Sequence, residues 1–291
     1  MTEIIVGATT DAGSDDAAAL GIALARTIDA VPVVTHVRPE PWHAPGSGRV
    51  DAEWDAYLET SSAAAIDAVV TRHAADLEQL DARTDVGVHR SSGHGLDDVA
   101  QRRSASCIVI GSAPGGETGR IASGSTSEQL LHGAHVPVAI APTGYAGYAP
   151  ESITRVVVAV DMAYRPGRLD AALDLLPDLG VALVCVVRRA TSIYTTQLGT
   201  DAELGVLHEL RRLAAHALDA AATDLRRPCE THVLVGDSVD AALAELTWHR
   251  GDLLVCGSSE LGPVRRVLLG DMTFRLLRAA TVPVLVAPRP G

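Results

Sequence analysis

Two stretches of the chain, 146 residues apart, carry the same order of elements. Residues 106–142 read SCIVIGSAPGGETGRIASGSTSEQLLHGAHVPVAIAP, and residues 252–288 read DLLVCGSSELGPVRRVLLGDMTFRLLRAATVPVLVAP. In each, a short apolar run ends in glycine, and a second glycine follows 13 residues later (Gly111 to Gly124, Gly257 to Gly270). A helical segment and a VPV strand close the stretch. Apolar runs bounded by Gly and Pro are the mark of fully buried parallel strands. In the first copy they predict strands over 107–110 and 136–141 and a helix over 128–132, with Ser125, Thr126 and Ser127 as its N-terminal cap. A loop between strand and helix points free backbone N–H groups at one place, which suits a phosphate.

A repeat of this length makes the 291-residue chain an internal duplication: domains at 1–143 and 152–291, with 144–151 as linker. The rest of each half fits. Strands are predicted over 4–8, 31–37 and 84–90 in the first half and over 153–161, 181–187 and 230–236 in the second. Helices are predicted over 51–80 and 96–103, after a first helix opened by Ser14, Asp15 and Asp16, and over 169–176, 200–225 and 239–248 in the second half. Strands alternating with helices give an α/β fold of two tandem, doubly wound, five-stranded parallel sheets, whose ligand crevice lies beyond the C-terminal strand ends. Asp15 and Asp16 are expected to serve as capping charges, Trp54 as a core anchor, and the Pro- and Gly-rich segment 38–49 as a lid.

Composition narrows the function classes. All 24 basic residues are arginine, which excludes Schiff-base chemistry and the P-loop lysine. Residues 1–145 hold 9 Arg against 19 Asp and Glu, a balance of −10, and residues 146–291 hold 15 against 17, a balance of −2. An acidic chain with 3% aromatic residues is a poor nucleic-acid binder. No apolar run approaches the roughly 20 residues of a membrane span, and the N-terminus enters a strand without a basic leader, so a soluble, cytoplasmic protein is expected. The four cysteines lack metal-type spacing and three fall in predicted strands, where they read as small buried hydrophobes. The lysine-free, Ala- and Arg-rich usage suggests a high-GC genome of actinobacterial type.

The opening strand with its small-residue turn, the G-x-x-G-x9-G-[ST] loop and the closing VPV-x-[IV]-AP strand together resemble a tandem universal stress protein over nearly all of both halves. The resemblance implies a Rossmann-like fold with the halves related by a pseudo-twofold axis. It implies an adenine nucleotide, ATP with or without Mg2+, as ligand. In the nucleotide-binding branch of that family an Asp after the first strand and backbone after the second hold the adenosine, while the glycine loop and its hydroxyl hold the phosphates. Carried over, the first-half site is Thr9, Val37, Gly111, Pro114, Gly115, Gly124, Ser125, Thr126 and Ser127. Thr9 stands for the acid and Pro114 for the second glycine, with Gly115 and Gly116 next to it. The second-half site is Asp161, Val187, Gly257 and Gly270, with Glu260 for the second glycine and Asp271 for the hydroxyl. Carboxylates at about 4 Å from phosphate oxygens are repelled by about 4 kcal/mol per pair at an effective dielectric near 20, so the second pocket is expected to be degenerate, with Arg265 and Arg266 as a counterweight only if they point inward.

The resemblance implies a non-enzymatic stress-response protein whose first half binds the nucleotide. It also implies that strand 136–141 pairs with strand 282–287 to join the halves; self-association of two chains is left open. One alternative is an interaction module with both pockets vestigial. Another is slow ATP hydrolysis in the first pocket, for which the sequence supplies no general base, lysine or acidic metal pair.

Overall fold

The computed structural model describes residues 2–40, 48–166, 173, 175–176, 179–189, 195–225, 227–257 and 271–288, with backbone alone for 48–51 and 195–203. The first half runs β1 (Thr2–Gly7), α1 (Gly13–Ile28), β2 (Ala30–Arg38), α2 (Gly48–Arg72), α3 (Ala74–Gln79), β3 (Arg83–Val88), α4 (Ser92–Arg103), β4 (Cys107–Gly111), α5 (Ser125–Leu131) and β5 (Val138–Ala141). After a 3-10 turn at Tyr145–Gly147 come β6 (Arg155–Ala159), β7 (Gly180–Arg188), α6 (Thr195–Leu225), β8 (Glu230–Gly236), α7 (Val239–Leu243), β9 (Asp252–Gly257), α8 (Asp271–Ala279) and β10 (Val284–Ala287).

The strands form one ten-stranded sheet in the order β3-β2-β1-β4-β5-β10-β9-β6-β7-β8. Every neighbouring pair is parallel except β5 and β10, which run antiparallel with Ala139 opposite Leu285. The apolar strand runs are buried on both faces, which is why they lack alternation. One core gathers Leu20, Leu24, Val69, Leu176 and Leu218 on one face, and Leu96, Leu130, Leu243 and Leu277 fill the other. Helix α1 is Ala-rich and lies close on the sheet: a Cβ on Gly21 would stand 2.5 Å from a Val6 methyl.

Several expectations are corrected. The single helix over 51–80 is broken at His73 (φ −109°, ψ 24°), whose Nε2 is 2.7 Å from the Asp15 carboxylate. Trp54 is 43% exposed and stacks on Tyr57 at 5.5 Å, so among the described residues it is not part of the core. The hydroxyl run lies within the first turn of α5 rather than ahead of it. The N-cap is Gly124, whose N–H donates to Ser127 Oγ at 2.8 Å while that hydroxyl donates to the Gly124 carbonyl at 2.8 Å. Helix α4 starts four residues before the predicted 96, and α7 stops at Leu243, whose carbonyl accepts from Trp248 Nε1 at 2.9 Å. Most of the helix predicted over 169–176 lies outside the described residues, as does most of the predicted lid.

The predicted linker is a packed element. Tyr145 is fully buried with its ring edge-on to Tyr148 at 5.2 Å. Asp16, 5% exposed, accepts from the N–H groups of Gly144 and Ala146, both at 2.8 Å. It is therefore not a capping charge: a buried carboxylate holds the linker against α1 through two charge-assisted bonds. Burial pushes the thiols of Cys107, Cys185 and Cys256 up to about 12, which leaves them inert at neutral pH.

Candidate functional site

The chain leaves β1 for β2 on one side and reaches β4 on the other, so the C-terminal ends of β1 and β4 flank the switch point of the first half, where doubly wound sheets take their ligands. A cleft of about 290 Å³ opens there. Its floor is formed by the ends of β1, β2 and β4, and its wall by the loop from Ser112 to Gly124 with the first turn of α5.

The β1–α1 turn is folded by two hydroxyls. Ser14 Oγ donates to the Thr9 carbonyl at 2.8 Å and accepts from the Thr9 N–H at 2.5 Å, and the two hydroxyl oxygens are 2.9 Å apart. Since the Ser14 proton goes to the carbonyl, the Thr9 hydroxyl donates within this pair. Its own lone pairs are then left to accept from a further donor. Asp11 Oδ1 accepts from the Gly13 N–H at 2.9 Å. His36 Nδ1 is 2.8 Å from the Ala8 carbonyl, which can only accept, so this nitrogen carries a hydrogen and Nε2 is the ring's other polar atom.

The glycines of the loop have packing reasons as well. A Cβ on Gly111 would lie 2.0 Å from the Gly13 carbonyl oxygen, and one on Gly124 would lie 2.9 Å from the Ala113 Cβ. The first contact is between backbones, so Gly111 is what lets the β1–α1 turn cross the end of β4. The loop folds mostly on itself. Ala113 N–H donates to the Ala122 carbonyl at 3.0 Å, Ala122 N–H to Ser112 Oγ at 2.9 Å, and Gly119 N–H to the Thr143 carbonyl at 2.8 Å.

Of the carried-over residues, Thr9, Val37, Gly111, Pro114, Gly124, Ser125, Thr126 and Ser127 line this one cleft. Gly115 does not: it sits at φ +81° with no atom within 4 Å of where a Cβ would be. The sequence reading missed Asp11, Gly13, Ser14, His36, Ser92 and Ser112, which also line it. His36 could have been found as the neighbour of Val37. Ser92 had no local signal, because topology alone brings the start of α4 to the site; there the Gln129 side-chain oxygen accepts from Gly93 N–H at 2.9 Å.

In the second half Asp161 turns its Oδ1 to the Ala163 N–H at 2.7 Å, capping its own turn. Val187 pairs within the β7–β8 ladder, and the Gly257 carbonyl accepts from Thr273 Oγ1 at 3.0 Å. The Asp271 side chain is 80% exposed and ion-paired with Arg275 at 2.9 Å. Gly270, Glu260, Arg265 and Arg266 lie outside the described residues.

A duplicated, doubly wound α/β sheet with a crevice at the first-half switch point defines the class of fold. Within it, residues 1–142 and 152–288 each match the Universal stress protein family, and the chain belongs to that family. It is 29% identical over 294 residues to a universal stress protein of Mycobacterium tuberculosis H37Rv, covering 98% of this chain and 99% of that one. The crystal structure of a universal stress protein from Archaeoglobus fulgidus DSM 4304 has the same fold, with a TM-score of 0.61 at 18% identity over 99% of this chain and 98% of that one. A functionally unknown protein from Pseudomonas aeruginosa PAO1 follows at 0.57 and 15%, over 99% and 92%. Among the described residues no helix is long and apolar enough to cross a membrane.

Proposed function

We propose that this chain is a non-enzymatic, adenine-nucleotide-binding stress-response protein whose ligand occupies the first-half cleft, with a degenerate second-half pocket. The observation that carries this reading is that eight residues aligned with the family's nucleotide motifs converge on one cleft at the switch point. Thr9 presents an acceptor for a ribose hydroxyl, and Val37 lies next to the last residue of β2, the strand whose backbone would face the base. Ser125 and Thr126 present hydroxyls for a phosphate. ATP, alone or with Mg2+, is the ligand the family resemblance brings forward. In the second half the acid that would hold adenosine is spent on its own turn, and a carboxylate replaces the phosphate-side hydroxyl.

The test is to heat-denature freshly purified protein and run the supernatant by ion-exchange chromatography at 260 nm against nucleotide standards. A near-stoichiometric adenine nucleotide that disappears in Ser125→Asp supports the reading; an aspartate in the first turn of α5 suits the helix dipole, so the variant retains its fold. An empty supernatant together with no thermal shift at millimolar nucleotide sinks it and favours an interaction module.

A further inference from the structure

We infer that Arg120 is a positioning residue through which the second half holds the wall of the first-half cleft, so that both halves shape the site. The inference rests on the reading of that cleft as the ligand site and adds what keeps its loop in place. Three observations carry it.

Topology brings the second half to the cleft end of the first. Because β5 and β10 run antiparallel, with Val284 opposite Ile140, the chain that leaves α8 and enters β10 lies beside the C-terminal end of β5. The loop from Ser112 to Gly124 stands at that same end. Ser112 N–H donates to the Ala141 carbonyl at 2.9 Å, Gly119 N–H to the Thr143 carbonyl at 2.8 Å, and Thr143 N–H to the Arg120 carbonyl at 3.0 Å.

The Arg120 side chain then crosses the seam. Its Nη1 donates to the carbonyl of Ala279, the last residue of α8, and stands 3.1 Å from Asp240 Oδ1 on α7. Both sites attract a guanidinium. The final carbonyls of a helix lack intrahelical partners and carry the negative end of its dipole, and Asp240 supplies a full charge. Among the described residues no other side chain of residues 112–124 is hydrogen-bonded or ion-paired to the second half. Arg120 itself does not line the cleft.

The loop needs such a fixed point. Gly115, Gly116 and Gly119 fall within five residues, two of them at φ +81° and +76°, and glycine loses more backbone freedom on ordering than any other residue. Past Arg120 the chain has to set down Ala122, whose N–H reaches Ser112 Oγ at 2.9 Å and whose carbonyl takes the Ala113 N–H at 3.0 Å. Ser112 and Ala113 line the cleft. A contact made on the second half therefore fixes, two residues on, the bonds that hold the cleft wall.

The experiment is hydrogen exchange with mass spectrometry on the full chain and on Arg120→Ala, Arg120→Lys and Asp240→Arg, reading residues 112–124 with residues 2–38 as internal control. Arg120→Ala is expected to speed exchange in the loop by about fivefold or more while the control stays within about twofold. Arg120→Lys keeps a donor and the charge and is expected to stay within about twofold of the parent. Asp240→Arg alters only the second half, at an exposed position, and is expected to speed exchange in the first-half loop by about threefold or more. Parent-like exchange in Arg120→Ala or Asp240→Arg overturns the inference. So does an acceleration shared by the control, which marks general destabilisation, or one equal in the Ala and Lys variants, which assigns the effect to packing. Titration of the same chains with ATP reads the site: Arg120→Ala is expected to bind about threefold or more weakly and Arg120→Lys like the parent. Parent-like affinity in Arg120→Ala overturns the positioning role. A parent that binds no ATP overturns the nucleotide reading, and the exchange rates then decide this inference by themselves.

Discussion

The two halves place an ion pair at the same corner of the sheet and build it with opposite polarity. In the first half Glu3, on β1, takes the guanidinium of Arg103 from the end of α4 through bonds of 2.8 and 3.0 Å. In the second, Arg155 on β6 takes the carboxylate of Asp252, its neighbour on β9, at 2.9 and 2.6 Å. The second pair is the more enclosed, with the Asp252 side chain 1% exposed against 11% for Glu3. Both are small networks: Arg103 also holds Asp85 at 3.1 Å and Arg83 also reaches Glu3, while Arg155 also donates to the Thr247 carbonyl at 2.9 Å and Asp252 also accepts from the His249 N–H at 2.7 Å. Duplication has preserved a geometric need, a charge pair at the start of the central strands, while exchanging the chemistry that meets it.

Breaking this comparison gives the largest effect. Asp252→Ala removes the more enclosed carboxylate, on which Arg155 and the His249 N–H both depend, while Arg155 keeps the Thr247 carbonyl, and should cost about 2–4 kcal/mol of unfolding free energy. Glu3→Ala should cost less, about 1–2 kcal/mol, because Glu3 is more exposed and Arg103 keeps Asp85. Urea unfolding of the two variants decides it, and equal losses would refute the burial account.

The loop glycines come next. Gly111→Ala drives a Cβ into the Gly13 carbonyl and should destabilise by about 1–3 kcal/mol. Gly257, its counterpart, has no described atom within 4 Å of a Cβ, so Gly257→Ala should stay within about 0.5 kcal/mol. The same pair of denaturation curves measures both, and a costly Gly257→Ala would mean that the second loop is packed like the first.

Acid titration gives a smaller difference. The hydrogen bond from Arg103, joined by the charges of Arg103 and Arg83, holds the Glu3 carboxyl below its usual range. A carboxylate depressed in the folded state contributes stability that is present above its unfolded pKa, about 4.3, and lost as pH falls through the folded value. Glu3→Gln should therefore be less stable than the parent at neutral pH, and the gap should close below about pH 4. Thermal midpoints across that range check it, and a gap that persisted in acid would assign the effect to packing.

Smallest of all is Tyr145→Phe. The Tyr145 hydroxyl is buried without a described partner, so its removal should change stability by less than about 0.5 kcal/mol or raise it. A clear loss would mean that the linker's hold on the first half depends on that hydroxyl.

The fold was legible because its signals are local: apolar runs bounded by Gly and Pro give strands wherever they occur, and a repeated glycine spacing gives the duplication. What the sequence hid was long-range. Asp16 looks like any acidic residue in a first helical turn, and its partners are backbone N–H groups 128 and 130 residues away that no side-chain pattern announces. Trp54 lies four residues before the buried Leu58, so periodicity assigns it to the core, although the start of the helix is exposed among the described residues. At the cleft the glycine spacing named a loop that lines it but not the bonds within that loop, because these depend on loop closure rather than on residue type.

The antiparallel seam between β5 and β10 has a consequence for synthesis. Ala287 follows Ala141 by 146 residues. At translation speeds of roughly 5–20 residues per second, the partner strand emerges about 7–30 s after the first half is complete. Throughout that interval the four-residue apolar strand VAIA lacks the partner it has in the full chain, and another nascent chain can offer one. Tethering both copies in one polypeptide makes the correct partner local, so the seam that joins the mature protein also limits the time during which neighbouring chains on a polysome can capture one another.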